Sequence, residues 1–333
     1  MSRGCPHSCA FCYKQAFFAG GRSFYTQRVD DALAEVESLP GRHLFFLDDN
    51  LFGNPRFAGA LMDGLRGMGR VWQAAATVAS VLRPGLVEKA AAAGLRSLFI
   101  GFETLNDESL RAHGKPHNRT QEYDAAIRRL HDLGVMVNAS FVFGMDGDDA
   151  SVFDRTVGWA VERGIETATF HVLTPYPGTE EFRRFEAEGR ILHRDWDLYD
   201  TRHAVFRPLR MTAEELERGY RGAYSEFYRW GSILAAAMQK ESWKSRLRHL
   251  AYAGGWKKLE PLWSGVIRLG QVARALPLLE ALLDADGPAP PRLERSSDLL
   301  PSGRLGPAVV HGYTWRAVHP NIAQSDAALP RSL

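Results

Sequence analysis

Between positions 27 and 173 the chain alternates two kinds of apolar pattern. Short β-branched and aromatic runs at 43–48, 71–77, 97–102, 135–143 and 167–173 read as strands. Segments with apolar residues every three or four positions, at 27–38, 55–67, 84–93, 121–133 and 151–163, read as helices between them. Gly94 and Gly134 stand just past the last apolar turn of two helices, where a left-handed residue closes them, and Thr120 is placed to cap another. Strand and helix in regular turn is the rhythm of parallel βα units. The pattern therefore predicts an α/β fold with five parallel strands in an open or partial (β/α) barrel.

In such a fold the loops at the carboxyl ends of the strands gather on one rim, and that rim carries function. The predicted strand ends read Asp48-Asp49-Asn50, Glu103-Thr104, Gly144-Met145-Asp146-Gly147 and Thr174-Pro175-Tyr176-Pro177-Gly178-Thr179. Acidic and amide groups on one rim can bind a polar cofactor. Each also has a plainer use: Asp48, Asp49 and Asn50 as caps, Glu103 as a solvated charge, Gly144 and Gly147 as turn residues, Pro175 to Gly178 as a rigid connection. The acidic run from Asp146 to Asp149 lacks the twelve-residue calcium-loop pattern and reads as a turn and helix cap. His113-Gly114-Lys115-Pro116-His117-Asn118 holds two histidines four apart, but Gly114 and Pro116 argue against the helix that would face them together. It reads as a loop that contacts substrate or closes the rim.

Beyond Thr212 the pattern is helical only. Tyr220, Tyr224, Phe227, Tyr228 and Trp230 recur at spacings that pack one face on the barrel. The stretch 240–274 mixes Lys240, Lys244, Arg246, Arg248, Lys257 and Lys258 with Trp243 and Trp256, and reads as a solvated helix face with packed tryptophans. After Asp284 proline, glycine, serine and alanine dominate, so a disordered tail is expected. The expected organisation is a barrel over 1–210, a helical C-terminal extension over 211–284 and a tail over 285–333.

Composition narrows the partners. A net charge of +2 gives no global field for nucleic acid, which is not expected as a partner. Hydrophobic content of 45% with 24% charged residues is that of a soluble protein, and no apolar run is long enough to span a membrane. Met1-Ser2-Arg3-Gly4-Cys5 does not read as a signal peptide. The cytoplasm, which keeps thiols reduced, is the expected compartment.

The chain has 3 cysteines, all in the loop Arg3-Gly4-Cys5-Pro6-His7-Ser8-Cys9-Ala10-Phe11-Cys12. Thiolates suit iron–sulfur clusters, zinc and copper(I), and this spacing can aim three at one centre. A closed zinc site or an electron-carrying [4Fe–4S] cluster takes four ligands, so one position stays open for chemistry. A zinc site completed by His7, or buried thiols acting as small hydrophobes, are the other readings. No cysteine remains for a second cluster, a hydrogen-atom donor or a nucleophile.

With Phe11 before its last cysteine, the motif resembles the signature of the radical S-adenosylmethionine (SAM) superfamily. The resemblance implies a [4Fe–4S] cluster on Cys5, Cys9 and Cys12, its fourth iron chelated by SAM. It also implies reductive cleavage of SAM to methionine and a 5′-deoxyadenosyl radical, on a partial (β/α)6 TIM-like barrel. Asp48, Asp49 and Asn50 stand where the family contacts the SAM amino group, and Glu103 where it approaches the ribose and methionyl portion. Phe143 and Gly144 fall on the strand whose backbone lies near adenine; Phe11 and Pro175 complete the implied cofactor-binding set.

The stretches Leu47 to Phe52, Ile100 to Thr104 and Thr174 to Thr179, with Gly189 to Leu192 and Asp195-Trp196, resemble the branch that often carries an N-terminal cobalamin-binding domain. Methyl transfer to a small-molecule substrate is the reaction this favours, with ring rearrangement and oxidation also open, and a flavodoxin- or ferredoxin-type protein is the implied electron donor. Only Met1, Ser2, Arg3 and Gly4 precede Cys5, so cobalamin is expected only through a missing or separate domain. The barrel's first strand is expected to be missing, leaving an open edge on the strand at 43–48. A fragment, a misassigned start or half of a split protein is therefore expected. The rival from another class is a non-catalytic protein whose thiolates hold structural zinc.

Overall fold

The computed structural model describes residues 1–18 and 23–259. The chain opens with β1 (Ser2–Gly4), the cysteine loop and a short α1 (Lys14–Phe17), then β2 (Phe24–Thr26), α2 (Val29–Ser38) and β3 (His43–Phe45). It continues through α3 (Pro55–Leu65), β4 (Val71–Ala76), α4 (Val78–Leu82), α5 (Leu86–Ala92) and β5 (Leu95–Glu103). Then come α6 (Asp107–Ala112), α7 (Thr120–Asp132), β6 (Met136–Phe143), α8 (Val152–Glu162), β7 (Thr167–Val172) and α9 (Glu180–Ala187). The carboxyl-terminal helices are α10 (Ala213–Phe227), α11 (Trp230–Met238) and α12 (Trp243–His249), continued as a π-helical segment, Leu250–Lys258.

β3 to β7 form one parallel 5-stranded sheet in sequence order, curled into a half-barrel, as the repeated βα rhythm predicts. Burial alternates along it. Trp72, Ala74 and Ala76 of β4 and Ala168, Phe170 and Val172 of β7 are buried under helices. Gln73, Ala75, Thr169 and His171, on the opposite face, are only half-buried. This period-2 pattern puts Gln73, Thr169 and His171 on the concave face beside apolar Ala75 and Phe99. Phe102, Phe141 and Phe170 stack in sequence across the convex face, where α7 adds Tyr123 and α8 adds Trp159.

Local chemistry fixes the helix starts. Asn54 accepts from the amides of Arg56 and Phe57 ahead of α3, with Pro55 at its first position. Thr212 and Glu215 form a reciprocal capping box on α10. The helix expected over 84–93 is α5, entered through Gly85 at φ 75°, and ahead of it Thr77 caps α4, a short helix that the apolar pattern did not indicate.

Residues 2–4 do form a strand, but β1 pairs antiparallel with β2 and stays outside the parallel sheet. β3 is the edge strand and is shorter than expected: its pairing with β4 stops at Phe45, and the Asp48 side chain beyond it bonds back to Ser2. On this edge Phe45 and Leu47 are exposed. In the extension, Lys240 is buried rather than solvated, and Trp243 is exposed rather than packed. The stretch beyond residue 259, with the rest of the extension and the expected tail, lies outside the described residues. No described helix is long and apolar enough to cross a membrane.

Candidate metal and cofactor site

Three strand ends hold the cysteine loop. After β3, Asp48 accepts from the Ser2 hydroxyl at 2.6 Å and from its amide, and lies 3.5 Å from the Met1 amino group. Asp49 accepts from the Gly4 amide at 3.0 Å. Gly4 has φ 81°, and a Cβ there would lie 1.9 Å from the Ser23 carbonyl oxygen, so only glycine fits. The Cys5 amide donates to that same oxygen at 3.0 Å.

Behind β5, the His113 carbonyl accepts from the Ala10 amide at 3.0 Å. Gly114, at φ 68°, brings its backbone against Ser8 and Cys9. The rings of His7 and His117 stack with centroids 3.7 Å apart. Beyond β7, the Glu181 amide donates to Ala10 at 3.2 Å, and Gly178 packs on Ala16 of α1. The loop is thus clamped on the rim where the strand ends gather.

All three thiols are free and half-buried. The Asn50 amide nitrogen lies 3.7 Å from the Cys5 sulfur; Lys14 Nζ lies 3.9 Å from the Cys12 sulfur and 3.1 Å from Asp49. Burial pushes the Cys9 thiol up to about 11, although the Lys115 cation draws it back. Metal binding there must therefore displace a proton. Among the described residues no three His, Cys, Asp or Glu side chains converge as one ion requires. Ligands of a cuboidal cluster each meet a different iron and need not converge.

The other sequence-predicted residues divide. Asn50 is 1% exposed and its Oδ1 has no partner, a buried acceptor left open beside Cys5. Glu103 ends β5 at φ 65°, past a register shift, and its carboxylate pairs with Lys115. Asp48 is occupied by Ser2. Phe143 points into the convex core against Phe153 and Phe170, and its carbonyl accepts from Leu173 at 2.8 Å. Gly144 lies under Leu216 of α10, 2.7 Å from where a Cβ would stand. Pro175 is buried, and Phe11 is half-buried beside His113.

Sequence reasoning did not single out Lys14, Lys115 or His171. His171 sits on the concave face with its Nδ1 3.2 Å from the Thr201 hydroxyl, and burial draws its imidazole down while Glu103 opposes this. Thr201, at φ 66°, and Glu103 are the only non-glycine residues with positive φ among those described. The inward alternation of β7 was the available signal for His171; Thr201 had none.

A half-barrel with three free thiols gathered in a loop on its carboxyl rim defines an α/β protein that carries soft-metal donors at its strand ends. Residues 1–160 match the Radical SAM superfamily, and the chain belongs to that superfamily. Its members use a [4Fe–4S] cluster and SAM. Bacteriochlorophyllide d C-12(1)-methyltransferase of Chlorobaculum tepidum is 32% identical over 244 residues, covering 72% of this chain and 52% of that protein. The chain spans about half the length of the curated relatives it matches. The cobalamin-dependent SAM radical enzyme OxsB, with aqua-cobalamin and SAM bound, shares the fold at TM-score 0.55 and 14% identity, over 75% of this chain and 44% of that one. The radical SAM methyltransferase TsrM of Kitasatospora setae, with cobalamin and a [4Fe–4S] cluster bound, does so at 0.51 and 18%, over 68% and 45%.

Proposed function

We propose that Cys5, Cys9 and Cys12 hold a [4Fe–4S] cluster, and that the chain cleaves SAM reductively to begin methyl transfer to a small-molecule substrate. The observation that carries this is a loop of three free thiols, with no fourth cysteine in the chain, tied to three strand ends. When bound, the cluster supplies one electron to the SAM sulfonium. The unpartnered Oδ1 of Asn50 is an acceptor suited to the SAM ammonium, while the neighbouring Asp49 is taken up by Lys14 and the Gly4 amide. Glu103 is held at the mouth, where its carboxylate can accept from ribose hydroxyls. Asp48 serves by anchoring the loop instead of touching SAM. The concave face, with Gln73, Thr169 and His171, receives the substrate and excludes bulk water once filled.

Similarity to a bacteriochlorophyllide methyltransferase supports methyl transfer. Cobalamin, if used, comes from a separate domain or partner, and a flavodoxin- or ferredoxin-type donor in the cytoplasm supplies the electron. On this reading the barrel occupies 1–210 and a helical extension begins at 211; the part of it beyond residue 259 lies outside the described residues. The structural-zinc reading is disfavoured because, among the described residues, the thiols and His7 do not converge on one point as a single ion requires.

Anaerobic reconstitution tests the proposal. About four iron and four sulfide per chain are expected, with reductant-dependent release of 5′-deoxyadenosine, and Cys9→Ala should lose both. Tightly bound zinc with no cleavage of SAM would overturn it.

A further inference from the structure

The His113–Asn118 loop does more than close the rim. Its Lys115 is buried, 8% exposed at the side chain, and bonds the Glu103 carboxylate and, at 3.1 Å, the Gly101 carbonyl. Asn118 holds that same carbonyl at 2.8 Å. The bulged end of β5 is thereby locked with Glu103 in its left-handed conformation. On the other side, Gly114 of this loop abuts Cys9, and His117 stacks on His7. One six-residue connection therefore joins the thiol loop to the strand end that presents Glu103.

The charge in this connection sits beside the thiol loop. Lys115 directly follows Gly114, whose backbone lies against Ser8 and Cys9, and its buried ammonium is held there by the Glu103 carboxylate and the Gly101 carbonyl. Lys14, with Asp49 as partner, serves the Cys12 side.

We propose that Lys115 is a positioning residue for electron entry: it sets the reduction potential of the centre bound by the cysteine loop, and Glu103 opposes it. This rests on the reading of that loop as a [4Fe–4S] site. One-electron reduction would add a negative charge beside Cys9, and a fixed cation in a poorly solvated place attracts it more strongly than the same cation would across water. Pairing Lys115 with Glu103 also ties the strength of that field to the geometry of the residue that faces SAM.

The test compares wild type, Lys115→Met, Lys115→Arg and Glu103→Gln, each reconstituted with iron and sulfide, without SAM, and titrated with dithionite while the reduced centre is followed by EPR. At fixed potential, Lys115→Met should lower the reduced-to-oxidised ratio about tenfold, a shift of ~59 mV for a one-electron couple. Lys115→Arg should restore the ratio, and Glu103→Gln should raise it. Loss of packing alone would not move the two neutralising variants in opposite directions. An unchanged ratio in Lys115→Met with a full complement of iron overturns the inference. Should Lys115→Met hold no iron, Glu103→Gln decides: an unchanged or lowered ratio sinks it. Failure of the wild type to take up iron strikes instead at the underlying cluster reading.

Discussion

The Tyr224 hydroxyl accepts from the Phe170 amide at 3.1 Å and donates to the Phe170 carbonyl at 3.2 Å, standing in for a neighbouring strand at the edge of β7. One turn along α10, Tyr228 does the same for Ala168, at 3.1 and 3.0 Å. The Val172 amide completes the row by donating to the Thr201 carbonyl at 2.7 Å. A strand edge is a template for wrong pairing, and here side chains of one helix cover it.

Removing either hydroxyl leaves a buried amide and carbonyl without a partner. Tyr224→Phe and Tyr228→Phe should each cost about 1–3 kcal/mol, read by urea unfolding. Amide exchange should quicken at Phe170 in the first variant and at Ala168 in the second. Exchange at the wild-type rate at both positions would show that the hydroxyls do not close the edge.

Gly4 sets the start of the cysteine loop. Gly4→Ala puts a methyl 1.9 Å from a backbone oxygen at a left-handed position, so the pairing of β1 with β2 must shift. Strain of this kind costs about 1–3 kcal/mol. The barrel should still melt cooperatively while iron uptake on reconstitution falls severalfold; full iron loading in the variant would contradict the placement of the loop.

Asn50 separates cofactor from cluster. Asn50→Ala removes the unpartnered acceptor and the long 3.7 Å amide contact to the Cys5 sulfur but leaves every cysteine in place, and SAM should bind at least tenfold more weakly, about 1.4 kcal/mol, by equilibrium dialysis. Iron content should stay at the wild-type value. Unchanged SAM binding would place the ammonium elsewhere.

Far from the rim, Lys240 joins the extension to the barrel by pairing with Glu166, which also accepts from the Val137 amide at 3.0 Å. His131 completes the group, 2.8 Å from Lys240 Nζ, beside a cleft of about 880 Å³. Burial alone would raise the Glu166 carboxyl, but the His131 contact and the Lys240 cation bring it below its ordinary 4.5. A depressed carboxyl stabilises the fold above its unfolded value and loses that contribution as pH falls below it. Lys240→Met should cost about 3–5 kcal/mol at pH 7, because Glu166 is left buried without its cation. The gap from wild type should shrink as pH drops from about 5 towards 2, where Glu166 takes up a proton. A gap that does not change with pH would mean the pair acts only through packing.

The parallel strands were legible because four of the five carry enough residues for alternation to show against the helical period, as in β4 and β7. β1 and β2 were not, since three residues contain no period. The cysteine spacing exposed the metal loop, yet nothing in sequence order says that His113 to Asn118 folds back onto it; that contact is long-range and made largely by backbone. Lys240 reads as one more charge on a basic helix until tertiary packing places it against Glu166. The tyrosines of α10 were legible as a packing face, while the service of their hydroxyls depends on the rise of helix and strand coinciding at two residues.

Glu103 and Thr201 hold left-handed backbone that glycine would adopt at less cost. Selection for heat resistance alone would therefore drift towards glycine at both positions, discarding the carboxylate at the rim and the hydroxyl that orients His171. Persistence of side chains at 103 and 201 under such selection would be a record of use, written in backbone conformation instead of in chemistry.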